Sequence, residues 1–179
     1  MDNTNINTFI KKWKSGKHFF LDNENNSDYY SALNQYINES ILPDENILLP
    51  RVILLFETIE QLNVYISTFE KNPINKDLIC CEINEKKNKI KLRNDLYQGV
   101  DVIYGTIPSV MFFYLQNGIS LSILKWMYIE LNSKKHFASL IRIMESMKKG
   151  QLLLCTNKKI VDSLIQMDSL NNKISHFNE

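Results

Sequence analysis

Six short runs are apolar at nearly every position: HFFL (18–21), RVILLF (51–56), LICCEI (78–83), VDVIYG (100–105), KWMYIEL (125–131) and QLLLCT (151–156). A strand exposed to water on one face alternates apolar with polar residues, whereas these runs require burial on both faces. Apolar residues recur at helical spacing in the intervals between them. Tyr30, Leu33, Tyr36 and Ile37 follow the first run, and Leu62, Tyr65, Ile66 and Phe69 the second. A stretch from about Pro108 to Leu115 follows the fourth, Phe137, Leu140, Ile141 and Met144 the fifth, and Ile160, Val161, Leu164 and Ile165 the sixth. Strands apolar on both faces with amphipathic helices between them predict a mostly parallel sheet under helices on each side, a three-layer α/β/α sandwich. Residues 1–167 are expected to form one domain, with a polar tail over 168–179 and a long loop from Asn38 to Pro50.

Composition narrows the function classes. The 179 residues suffice for one full core, and a net charge of +1 means that any nucleic-acid contact must come from a local patch. Cys80, Cys81 and Cys155 fall in apolar runs and read as reduced core thiols. His18, His136 and His176 are scattered, so no metal or cofactor is expected. The polar N-terminus MDNTNINTF lacks a signal core, and no apolar run reaches membrane-spanning length, so a cytoplasmic location is expected.

Parallel sheets bind ligands at the carboxyl ends of their strands. After the first run comes DNENNSDYY (22–30), with no glycine or lysine to cradle phosphates and with Asp22, Glu24 and Asp28 to repel them. Thr58 and Thr106 each precede a helix start, with Pro108 in the first turn of the second, and both read as helix caps. The fifth run ends in Glu130, Leu131, Asn132 and Ser133, and the sixth leads into Cys155, Thr156 and Asn157. Three basic clusters stand out. One is Lys86, Lys87, Lys89, Lys91 and Arg93, read as a solvated face or loop. The second is Lys11, Lys12, Lys14 and Lys17, and the third Lys148, Lys149, Lys158 and Lys159.

The order and spacing of these segments resemble the first RecA-like domain of DEAD-box RNA helicases, a P-loop NTPase-type fold, over residues 6 to 167. VDVIYGTIPSVMFFYLQNGISLSILKWMYIELNS (100–133) carries most of the likeness. SGKHFFLDNENNSDYYSAL (15–33), RVILLFETIEQL (51–62) and QLLLCTNK (151–158) extend it. The segment DLYQGVDVIYGT…LQNGISLSILK also resembles short single-domain helicase-like proteins of Bacteroidota.

The resemblance implies what each site position should hold. Asn25, Asn26, Ser27, Asp28, Tyr29 and Tyr30 stand in place of Thr-Gly-x-Gly-Lys-Thr, and Ile6 falls near the place of the adenine-reading glutamine. Glu130, Leu131, Asn132 and Ser133 replace Asp-Glu-Ala-Asp. Glu130 remains to hold a metal-bound water, and Leu131 removes the acid that would polarise it. Cys155, Thr156 and Asn157 replace Ser-Ala-Thr. No second RecA-like domain, which would supply the arginine finger, is expected within these residues. The expectation is a helicase-like fold without ATPase activity, serving as a protein or ribonucleoprotein interaction module. The alternative is a non-catalytic RNA binder using Thr58, Thr106, Ser109 and the cluster from Lys86 to Arg93.

Overall fold

The computed structural model describes residues 13–16, 18–22, 26–44, 46–147 and 150–165. Six strands form one parallel sheet. They are β1 (Phe19–Asp22), β2 (Val52–Phe56), β3 (Cys80–Ile83), β4 (Val102–Thr106), β5 (Trp126–Glu130) and β6 (Gln151–Thr156), in the order β1-β6-β5-β2-β4-β3. Six helices alternate with them: α1 (Asn26–Ser40), α2 (Ile59–Ser67), α3 (Lys89–Gln98), α4 (Ile107–Leu115), α5 (Phe137–Ser146) and α6 (Lys158–Ile165). Each expected run overlaps its strand, with ends displaced by no more than two residues, because burial on both faces leaves little other choice of element.

Strand alternation divides the core in two. One face carries Leu54, Phe56, Tyr104, Trp126, Tyr128 and Cys155 against Tyr30, Leu33 and Ile37 of α1 and Leu62 and Tyr65 of α2. The other carries Leu55, Ile103, Ile129 and Leu154 against α3, α4, α5 and α6, with Leu92, Phe113, Ile143 and Leu164 facing inward. Each fully buried side chain of this size contributes roughly 1.5–3 kcal/mol. Together the two faces make the sheet a single cooperative layer.

Two expectations need correction and one is sharpened. EKKNKIKLR is expected as a solvated face or loop, and the structure places its second half on the solvated face of helix α3, which turns only Leu92 fully inward. Its boundaries are nonetheless well marked. The Asn88 side chain accepts hydrogen bonds from the N–H groups of Ile90 (2.9 Å) and Lys91 (3.2 Å), and Gly99 closes the helix at φ 99°. The long loop is shorter than expected, because α1 continues to Ser40. Thr106 occupies the cap position of α4, but its hydroxyl makes no capping bond to the helix backbone. The tail 168–179, Ile6 and Asn25 lie outside the described residues.

At the amino end of the sheet, Arg51 and Asp101 form a buried ion pair. Asp101 also accepts from the N–H of Ile79 at 2.9 Å, and Arg51 donates to the carbonyl of Leu42 at 2.7 Å. The pair thereby ties β2, β3 and β4 together where they begin.

Candidate functional site

The carboxyl ends of β2, β5 and β6 lie side by side, with Phe56 opposite Glu130 and Glu130 opposite Cys155. Alternation along β5 turns Trp126, Tyr128 and Glu130 toward α1 and α2. Glu130 is 1% exposed. A carboxylate this deep needs hydrogen-bond donors, and three converge on it. Tyr30 on α1 donates to Oε2 at 2.8 Å, Tyr128 donates to the same oxygen at 2.7 Å, and Gln61 Nε2 on α2 donates to Oε1 at 2.9 Å.

Each donor is itself held. Gln61 completes a capping box: its Oε1 accepts from the N–H of Thr58 (2.9 Å), while its own N–H donates to the Thr58 hydroxyl (3.3 Å). Tyr30 packs edge-on against Phe56 and Tyr65, at centroid distances of 6.0 and 5.6 Å. Burial, reinforced by the charge of Glu130, pushes the Tyr30 hydroxyl above its ordinary pKa. Burial does the same to Tyr128, with Cys155 and Glu130 adding to it. Both hydroxyls therefore stay protonated as donors at neutral pH.

The turn after β5 is anchored separately. The Glu57 carboxylate accepts from the N–H groups of Asn132 (2.5 Å) and Ser133 (3.0 Å) and from the Ser133 hydroxyl. Leu131 points the other way and is wholly buried among Ile129, Phe137 and their neighbours, its N–H donating to the carbonyl of Cys155 at 2.9 Å. Cys155 is buried on the α1 and α2 face. The Thr156 hydroxyl is buried with no hydrogen-bond partner among the described residues. Asn157 caps α6, accepting from the N–H of Ile160 at 3.1 Å. Asn26, Ser27 and Asp28 form the first turn of α1, and Tyr29 is half-buried against the core.

The remaining candidates separate. Thr58 is spent in its capping box. Thr106 donates to Ser109 Oγ at 2.9 Å and to Glu85 at 3.4 Å. Lys86, Lys87, Lys89, Lys91 and Arg93 are all exposed, but they do not form one patch. Lys87 pairs with Glu82 at 3.0 Å, whereas Lys89 lies 4.3 Å over the Phe112 ring and Arg93 donates to Gln116 at 2.5 Å, both toward α4. In the other clusters, Lys14 pairs with Glu39 at 2.9 Å and Lys158 and Lys159 are exposed; Lys11, Lys12, Lys17, Lys148 and Lys149 lie outside the described residues. Among the described residues, no group of three or more His, Cys, Asp or Glu is placed to hold a metal.

The sequence reading named Tyr30 and Glu130 as separate positions and missed Gln61, Tyr128 and Glu57. Two signals were available. Thr58-x-x-Gln61 is a capping-box pattern, and Tyr128-x-Glu130 places both side chains on one face of a strand.

No protein-family model matches the chain, and no curated protein sequence matches it significantly. Solved structures do match it. A hypothetical ATP-dependent RNA helicase from Sulfolobus tokodaii superposes with a TM-score of 0.68 at 14% identity, over 99% of this chain and 56% of that one. The yeast DEAD-box splicing factor Prp28 gives 0.64 at 11%, over 84% and 39%. Dbp5 of S. cerevisiae, solved bound to RNA and ADP BeF3, gives 0.59 at 15%, over 90% and 41%. The chain spans about two-fifths to just over half the length of these proteins. At these identities the likeness establishes the fold alone: a RecA-like α/β domain.

Proposed function

We propose that this protein is a helicase-like domain that does not hydrolyse ATP and acts in the cytoplasm as a protein or ribonucleoprotein interaction module. The convergence of Tyr30, Tyr128 and Gln61 on Glu130 carries this reading. By the resemblance, Tyr30 and Glu130 stand where a P-loop hydroxyl and a strand-end acid would share Mg²⁺. Here the tyrosine hydroxyl is bonded to the acid directly, and the aromatic ring fills the space. The acid that would orient an attacking water is replaced by Leu131, which is buried in the opposite core. Electrostatic groups acting on a transferring phosphoryl each contribute on the order of 10²–10⁵ in rate, so their joint loss removes the basis for catalysis.

Calorimetric titration with Mg²⁺–ATP and Mg²⁺–ADP tests this reading. No binding heat is expected, and measurable binding with turnover would overturn it. A second reading, a non-catalytic RNA binder, draws on the exposed cations of α3 and on the solved RNA complex of Dbp5. It requires an RNA affinity that falls steeply with added salt.

A further inference from the structure

Strand β3 ends the sheet on one side, and a cleft of about 360 Å³ runs along it. All four consecutive residues from Ile79 to Glu82 line this cleft. Successive strand side chains point to opposite faces, so four in a row can share one cleft only if it follows the strand's open edge. The opposite wall is one face of α3: Asn88, Lys91, Leu92, Asp95 and Gln98.

The backbone direction supports the same geometry. The carbonyl of Ile79 accepts from the N–H groups of Asp101 (2.8 Å) and Val102 (3.2 Å), so the backbone of Ile79 faces β4. Peptide groups alternate along a parallel strand, so Cys81 also faces β4, and Cys80 and Glu82 turn their N–H and C=O groups outward into the cleft. The wall from Asn88 to Gln98 is roughly 15 Å long at the helical rise. Four extended residues span roughly 13 Å. The two lengths match.

Charge favours one kind of occupant. Four charged residues line the cleft, Lys87 and Lys91 against Glu82 and Asp95. Lys89 and Arg93 are engaged with α4, and Lys87 with Glu82. Lys91 and Asp95, one turn apart on α3, both line the cleft without an ion-pair partner among the described residues, so it offers one charge of each sign. This division of the cations also disfavours a continuous track for RNA.

We propose that the open edge of β3 receives an extended peptide of a partner protein as a seventh strand, with an acidic side chain of that peptide meeting Lys91 and a basic one meeting Asp95. Affinity would come from main-chain bonds to Cys80 and Glu82, and specificity from the apolar lining on the two sides of that edge, Leu92 and Val100 on one and Tyr104 on the other. This deepens the interaction-module reading and rests on it.

The test uses the full chain and random heptapeptides displayed on phage, with counter-selection on Glu82→Pro. Proline at residue 82 removes an outward N–H and leaves the ladder to β4 intact. Enriched peptides should alternate apolar residues with at least one acid and one base. They should slow hydrogen exchange at the Glu82 amide and bind Glu82→Pro about tenfold more weakly, the effect of about one hydrogen bond. Lys91→Glu, which does not touch the strand, should weaken them likewise. Absence of enrichment, or equal binding to both variants, overturns the proposal. So does an oligouridylate RNA that displaces the peptides and protects the same amide. Nucleotide binding with turnover would instead overturn the non-hydrolysing reading and leave peptide binding at β3 standing, so the two failures are distinguishable.

Discussion

The same sheet buries one carboxylate at each end and satisfies them by different means. Asp101, at the amino end, is matched by the Arg51 guanidinium. Glu130, at the carboxyl end, is met by two tyrosine hydroxyls and an amide. An ion pair holds a buried acid through charge, and losing one partner strands the other. The neutral donors seen on Glu130 among the described residues act through geometry, which requires three side chains from three elements to agree. The amino end is therefore a clamp on strand starts. The carboxyl end, where sheets of this type bind ligands, holds its acid between β5, α1 and α2.

Matched amide substitutions should separate the two ends. Asp101→Asn leaves the Arg51 guanidinium buried without its counter-charge and should cost about 3–5 kcal/mol in denaturant unfolding. Glu130→Gln keeps an acceptor among neutral donors and should cost about 1–2 kcal/mol. Equal losses would mean that Glu130 depends on charge as much as Asp101 does. Tyr30→Phe removes one donor and keeps the ring, so a loss of about 1.5–3 kcal/mol with no gain of Mg²⁺–ATP binding is expected. Appearance of nucleotide binding in that variant would show that the tyrosine hydroxyl alone closes the site.

The tyrosines also give the carboxyl end its own pH signature. Burial raises the hydroxyl pKa of Tyr30, Tyr65 and Tyr128 above the ordinary 10.0. The native state keeps these protons where the unfolded chain releases them. Stability is therefore full below about pH 10 and falls above it, by about 1.4 kcal/mol per pH unit for each such group. Thermal melts from pH 8 to 11 should show this fall, and Tyr30→Phe should reduce its slope. Burial also pushes Cys80 up to about 12 and Cys81 to about 11, so both thiols should react slowly with alkylating reagents at pH 8. Gln61→Ala should cost about 1 kcal/mol, through the capping box and one bond to Glu130. The smallest effect belongs to Thr156→Val. It removes a buried hydroxyl without a partner and should leave stability unchanged or raise it by up to about 1 kcal/mol.

The amino-acid sequence alone fixed the class of fold. Strands such as VILLF and QLLLCT are buried at every position, and that property follows from local composition without knowing what covers them. Helix α3 escaped because so little of it is buried, although Asn88 and Gly99 marked its ends. One further constraint is invisible in sequence: a Cβ on Gly105 would lie 2.1 Å from the carbonyl oxygen of Ile83, so β4 must carry glycine there for β3 to end as it does.

Only the tertiary structure decided which side chains meet. Tyr30 and Glu130 are separated by 100 residues, and no periodicity predicts that a hydroxyl from α1 and an amide from α2 reach the same carboxylate. Local sequence sets which face of an element is apolar, because burial is a property of each residue. The convergence of donors on one atom is a property of how elements are ordered in the sheet, and that order places β5 between β2 and β6. The same order leaves β3 at the edge with two residues facing outward, a feature that four residues of sequence cannot reveal.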